Sequence, residues 1–276
     1  MFNKLKIKSK LVTGFILVAV IVGIVGYIGF NGMKKEQSSI EEIAEVRLPS
    51  VQTIIQIMEG QSGVWIGERG LLIEGLMDPE KREAQYDYIE DNFQQIQTAW
   101  DIYAPLPQTE QESILWNRFV PAYEDWKSKH DEVVKISKER DRLVSRGYSS
   151  DDSIVLQKVD EATLASLVAR DAFLETEEIL QQILDINLAV AEEQKQMAYA
   201  SAENATGLLI AFIAIGAILS LILGLLISNN IQAIIKGIVN QVNSLTQSAT
   251  DGKLDTRADV SGTNIEFRSI TEGINN

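Results

Sequence analysis

The chain has 276 residues, with 25 Lys and Arg against 39 Asp and Glu, no Cys, and a formal net charge of −14. The lack of Cys excludes a thiolate metal site, a Cys nucleophile and a disulfide-stapled fold, and the negative balance weighs against nucleic acid, whose phosphates need Lys and Arg. Two uncharged apolar runs, 11–30 and 206–228, reach the roughly 20 residues that a helix needs to cross a bilayer, so a soluble globular enzyme is the wrong class.

Residues 1–10 carry Lys4, Lys6, Lys8 and Lys10 and no acid. By the positive-inside bias this predicts a cytoplasmic N-terminus ahead of a first transmembrane helix over 11–30. A cleaved signal peptide would have a shorter apolar core ending in small residues. Here Asn31, Gly32, Met33, Lys34 and Lys35 follow instead, so the first span is expected to stay. The second span, 206–228, returns the chain to the cytoplasm and leaves residues 31–205, with 17 basic and 34 acidic side chains, outside the cell.

The outer segment reads as four helices. In 36–77, Leu48, Val51, Ile55, Met58, Trp65, Leu72 and Leu76 recur at helical spacing, with Ser62 and Arg69 on the same stripe. Gly60, Gly63, Gly67 and Gly70 lie along one face beside it. Such a row admits another backbone, within one subunit or from a second, or makes a weak, deformable stretch with a part in signalling. Asp78-Pro79-Glu80 stops one helix and starts the next. Tyr86, Ile89, Phe93, Ile96, Trp100 and Tyr103 form the stripe of the second helix, which breaks at Ala104-Pro105-Leu106-Pro107. Thr109 and Glu112 have capping-box spacing, and Trp116, Phe119, Tyr123, Trp126, His130 and Val133 face one way on the third helix. After the turn 147–152 the fourth helix carries Val159, Phe173, Thr176, Leu180, Ile183, Asn187 and Val190, and no Pro or Gly interrupts it before residue 207. Both bundle ends lead into spans, so the expected topology is an up-down-up-down antiparallel bundle.

Beyond the second span, Ile231, Ile235, Ile238, Val242, Leu245 and Ala249 form a 4-3-4-3-4 coiled-coil seam. A polar connector and a second stripe, Phe267, Ile270 and Ile274, follow. A helix pair this small cannot bury both stripes alone, which implies a homodimer.

These residues resemble a known family. Gly252, Leu254 and Arg257 match the G-x-L-x-x-R connector of HAMP domains. Glu266, Phe267, Ile270, Ile274 and Asn275 are similar to the start of the second HAMP helix, while Ile234 stands where that family usually has Pro. The two spans and acidic outer bundle resemble methyl-accepting chemotaxis proteins. The resemblance implies an all-α, membrane-anchored, homodimeric chemotaxis transducer in a bacterial inner membrane. Its parts would be a cytoplasmic N-terminus (1–10), transmembrane helix 1 (11–30), an extracytoplasmic four-helix-bundle sensor (31–205), transmembrane helix 2 (206–228) and a HAMP parallel coiled coil (229–276). Both termini would be cytoplasmic. The resemblance further implies assembly into higher receptor arrays, coupling to a cytoplasmic histidine kinase and adaptor, and a methylated signalling hairpin beyond Asn276, which makes the chain read as a fragment. The input region of a sensor histidine kinase or cyclase, and a non-signalling dimeric membrane anchor, are the alternatives.

No catalytic, metal or cofactor motif occurs, and His130 is the one histidine, so no enzyme, metal or cofactor is expected. On the bundle stripe His130 reads as structural or as sensing pH or ligand. Carboxylate runs such as Glu41, Glu42, Glu45 and Glu192, Glu193 read as solvated faces. Ligand candidates are polar residues where a stripe expects apolar ones: Arg69, with Ser62 and Trp65 before it, and Arg170 and Thr176 on the fourth helix. A buried Arg must meet a carboxylate, from the protein or from a ligand. The chemotaxis resemblance implies a small amino-acid or carboxylate ligand held by helix-one arginines and helix-four residues at the dimer interface, or a ligand-binding protein in its place.

Overall fold

A computed structural model of the chain describes residues 6–275, so Lys4 of the basic N-terminal run and Asn276 lie outside the described residues. The elements are helical throughout: α1 Ile7–Glu41, a π-helical turn Glu42–Arg47, α2 Leu48–Gly70, a 3-10 turn Glu74–Leu76, α3 Pro79–Tyr103, α4 Glu110–Ser145, α5 Ser153–Thr250 and α6 Arg268–Ile274. No strand occurs among the described residues. Two compact units form, residues 37–199 and residues 1–36 with 200–276.

Local chemistry sets the helix ends in the first unit, the bundle. The Asp78 carboxylate accepts from the Glu80 amide at 3.1 Å, and Pro79 supplies a preset first turn to α3. Thr109 and Glu112 form the reciprocal capping box of α4. Gly147, at φ +97°, makes the left-handed turn after α4 that other residues resist. The predicted stripes of the second to fourth helices supply most of the core: Ile89, Ile96 and Tyr103 from α3, Trp116, Phe119, Tyr123 and Trp126 from α4, and Phe173, Leu180 and Ile183 from α5 are all buried. Aromatic rings run through it in succession, with Trp100, Trp116, Phe119 and Tyr123 at centroid separations of 4.6 to 5.7 Å.

The first outer helix departs from its sequence reading. Its α-helix ends at Gly70 rather than Met77, and the buried face is Ile54, Ile57, Gln61, Val64, Glu68 and Leu71. On the expected stripe, Leu48 is 61% and Ile55 38% exposed, and Ser62, Trp65 and Arg69 are half-buried. The glycine row explains the rotation. Those glycines face α3 of the same chain, where a Cβ on Gly60 would stand 2.6 Å from Ile96 Cγ1 and one on Gly67 2.6 Å from Ile89 Cγ1. The Gly63 and Gly70 Cβ positions would overlap the Asn92 and Gln85 side chains. The close approach that the row allows is therefore internal packing, and the face is not open to a second subunit.

In the second unit, the apolar parts of α1 and α5 are both long and apolar enough to cross a membrane. Phe15, Tyr27, Ile210 and Leu221 stand exposed along them. The runs pair antiparallel: Gly14 lies against Ile227, Gly29 against Leu209 and Gly32 against Ala205. Past the second run, Ile235 and Val242 of the predicted seam stay exposed on the single chain.

Candidate functional site

Sequence places polar side chains at core positions of all four bundle helices, and the fold joins them into layers. The first layer lies where α2 begins. The π turn brings Arg47 to the interior, where its Nη1 donates to Glu112 Oε2 at 2.9 Å and to Asn187 Oδ1 at 3.0 Å. Its Nε donates to Glu42 Oε1 at 2.8 Å, and its Nη2 to the Pro107 carbonyl at 3.2 Å. Glu112 Oε1 accepts from Tyr103 Oη at 2.6 Å and from Asn187 Nδ2 at 2.8 Å. Burial first, and the bond to Glu112 second, push the Tyr103 hydroxyl far above its usual pKa. This is a satisfied charge network, so each donor and acceptor has a partner in a place water does not reach.

The second layer is Gln61 with Thr176. Gln61 Nε2 donates to Thr176 Oγ1 at 3.0 Å, and the Thr176 hydroxyl in turn donates a hydrogen bond to the Phe173 carbonyl at 2.7 Å. The third is Glu68, which lies 2.7 Å from His130 Nδ1 and accepts from Ser166 Oγ. All three residues are at most 1% exposed. His130 thus sits in the core, edge-on to Phe93 at 5.4 Å, bound to a carboxylate of α2.

The five residues that sequence singled out divide among different surroundings. Trp65 stacks on Phe173 at 5.3 Å, and the Arg69 guanidinium lies 5.4 Å from the Trp65 ring centre. Arg69 is half-buried and has no ion pair among the described residues. It is not the enclosed cation that its stripe implied, because the stripe itself lies off the core. Ser62 borders a shallow groove with Met58, Ile66 and Glu177. Thr176 is fully buried behind this face in the Gln61 layer, and Arg170 is exposed on α5. Ser62, Trp65 and Arg69 therefore share one outward face of α2, while Arg170 and Thr176 do not join them. The Trp65 ring is covered in part by Phe173 and Arg69, and the polar groups on this face are the Arg69 guanidinium, whose fork suits a carboxylate, and the Ser62 hydroxyl.

Sequence reasoning passed over Arg47, Gln61 and Glu68. Residues 54, 57, 61, 64, 68 and 71 do follow 3-4 spacing, but Gln and Glu at two of them hid the stripe from a hydrophobicity reading. Glu112 was visible only as a cap, although it is also the acid that holds Arg47.

Among the connector residues, Gly252 takes φ +75° at the end of α5, and Arg257 Nη1 donates to the Leu254 and Thr256 carbonyls at 2.8 and 3.0 Å. The Leu254 side chain is exposed. Glu266 Oε2 accepts from the Ile7 amide at the start of α1 at 2.8 Å. The Asn275 amide grips Ala258 twice, accepting from its N–H at 2.6 Å and donating to its carbonyl at 3.0 Å. Gly252 and Arg257 therefore shape the backbone locally, while Glu266 and Asn275 hold backbone groups distant in sequence.

A family model described as a four-helix-bundle sensory module for signal transduction matches residues 4–202. The chain belongs to that family. It therefore carries the four-helix-bundle sensory module of methyl-accepting chemotaxis proteins, and the match takes in the first apolar run and the whole bundle. No curated protein and no solved structure matches the chain. Within the sensory module Glu68 bonds α2 to both α4 and α5, Gln61 bonds α2 to α5, and the Arg47 layer joins the π turn to α3, α4 and α5.

Proposed function

We propose that the chain is the input part of a homodimeric transmembrane chemotaxis receptor. The bundle lies outside the cell, the two apolar runs cross the inner membrane, and residues 229–276 form a HAMP relay to a cytoplasmic output. The observation that carries this reading is α5, an uninterrupted helix from Ser153 to Thr250. It contains the fourth bundle helix, the second apolar run and the seam with no break in the helical hydrogen bonding. A continuous helix passes on a small shift or rotation that a loop would absorb.

Exposed apolar stripes support the homodimer. Leu48, Ile55 and Ile66 lie on one outer face of α2, and Leu167, Leu174 and Leu188 recur at multiples of seven on α5. The exposed Ile235 and Val242 continue the need for a partner into the seam. The Trp65–Arg69 face adjoins this surface and suits an amino-acid or carboxylate ligand, or a ligand-loaded binding protein. The reading assigns the chain no catalytic chemistry and no cofactor, and leaves kinase control to an output domain with its adaptor.

The test is a fusion of residues 1–276 to the cytoplasmic domain of a chemotaxis receptor, expressed in cells without receptors of their own. The fusion is expected to control kinase activity, and four glycines inserted after Asn229 should lock that activity at one level. Kinase output that is indifferent to the insertion would contradict the proposed relay.

A further inference from the structure

At the far end of the bundle, where α3 starts and α4 ends, two arginines are buried together. Arg82 and Arg140 are each 3% exposed. One carboxylate, Asp141, stands between them: its Oδ1 accepts from Arg140 Nη1 at 3.1 Å and lies 2.5 Å from Arg82 Nε. Its Oδ2 accepts from Tyr86 Oη at 2.7 Å, and burial together with that bond raises the Tyr86 hydroxyl far above its usual pKa. Lys138, 5.1 Å from the Tyr86 ring centre, is exposed at the rim and stays in water. Glu83, the other acid at the edge, is exposed and has no ion pair among the described residues.

The layer therefore holds an excess of positive charge out of water, unlike the balanced Arg47–Glu112 layer at the other end. Its donors are also incompletely used. Among the described residues Arg140 Nε and Ser137 Oγ have no hydrogen-bond partner, and Arg82 Nε touches Asp141 without the alignment of a hydrogen bond. Arg82 is otherwise fixed: Nη1 donates to the Leu71 carbonyl at 2.7 Å and Nη2 to Tyr86 Oη at 3.3 Å. Buried donors without acceptors are costly and rare. The same arginines line a cavity of about 330 Å³, whose other walls mix apolar Met77, Pro79 and Val144 with Tyr86, Ser145 and the carboxylates of Glu83 and Asp141. That volume lies at the small end of the range for ligand pockets.

We propose that this cavity binds a small organic carboxylate, with its charged group on Arg140 and Arg82 and its carbon chain against Met77 and Val144. A carboxylate supplies the two acceptor oxygens that a planar guanidinium fork matches, and one negative charge offsets the surplus. The apolar wall favours an organic acid over inorganic phosphate. The site lies between α3 and α4 of one chain, away from the Trp65–Arg69 face, and binding here does not depend on the chemotaxis reading.

The test is calorimetric titration and thermal melting of the full chain in lipid nanodiscs, with butyrate as the probe. Butanol supplies the same chain without the charge, inorganic phosphate the charge without the chain, and chloride fixes ionic strength. Butyrate is expected to bind saturably and raise the melting temperature, with butanol and phosphate at least 10-fold weaker. Arg140→Gln should weaken butyrate binding at least 10-fold. Val144→Phe should do the same by filling the cavity while leaving every charge in place, and Arg118→Gln, at an exposed position of α4, should change nothing. Absence of saturable butyrate binding, phosphate binding as tight as butyrate, or full affinity in a folded Val144→Phe variant would overturn the proposal.

Discussion

Replacing Arg47 by Met keeps most of the aliphatic stem and removes the charge from a layer where Glu112 is fully buried. Removing one partner of a buried pair costs about 3–5 kcal/mol, because the other charge is left uncompensated. Glu112 still accepts from Tyr103, from Asn187 and from the Thr109 amide at 3.1 Å, so the lower figure applies, about 3 kcal/mol. For a unit spanning residues 37–199, that is a fall in melting temperature of roughly 6–12 °C. The double variant Arg47→Met with Glu112→Gln leaves no stranded charge and should recover about 2 kcal/mol of the summed single losses, a coupling expected of contacting residues. Thermal and urea unfolding of the 37–199 fragment measure all three variants. A loss under about 1 kcal/mol for Arg47→Met, or strict additivity in the double variant, would refute the view of this layer as a buried charge network.

Gly67→Ala gains about 1 kcal/mol of helix propensity but drives a methyl to 2.6 Å from Ile89 Cγ1 and 3.3 Å from the Gln85 carbonyl. Urea unfolding should show a net loss of about 1–3 kcal/mol, whereas Gly75→Ala, with nothing within 4 Å, should show none. Tyr86, Tyr103 and Tyr123 all have folded-state pKa values raised chiefly by burial, so the stability they contribute is complete below about pH 10 and is lost as pH rises beyond it. Tyrosinate absorbance of the 37–199 fragment should therefore show these three ionising together with unfolding, and a single smooth transition near pH 10 for all its tyrosines would contradict their burial. Arg69→Ala should cost only about 0.5–1 kcal/mol, the worth of a cation over an exposed ring; a loss near 3 kcal/mol in the same melts would mean that a protein acid holds it.

The bundle was legible where apolar and aromatic side chains carry the core. Trp116, Phe119, Tyr123 and Trp126 are large, regularly spaced and buried, so periodicity alone places their face. The first helix misled because it has two faces of interest. Glycines, Gln61 and Glu68 occupy its inner side, and Leu48, Ile55 and Ile66 stand on its outer side, so counting hydrophobes selects the wrong one. Pairing is a second limit. Arg47 and Glu112 are 65 residues apart and Glu68 and His130 are 62 apart, and no spacing rule joins them before the helices are packed. Arg82 and Arg140 lie outside the apolar stripes that the sequence shows, and only the fold reveals that they are enclosed together.

The central claim is that the bundle and the segment after the second apolar run lie on opposite sides of a membrane, joined by one helix. Since the chain has no Cys, single cysteines report without background. With Asp151→Cys in the turn before α5 and Asp255→Cys in the connector, a membrane-impermeant maleimide applied to intact cells decides the matter. The account predicts labelling at 151 and none at 255 until the cells are opened. Labelling of both positions, or of 255 alone, would contradict it.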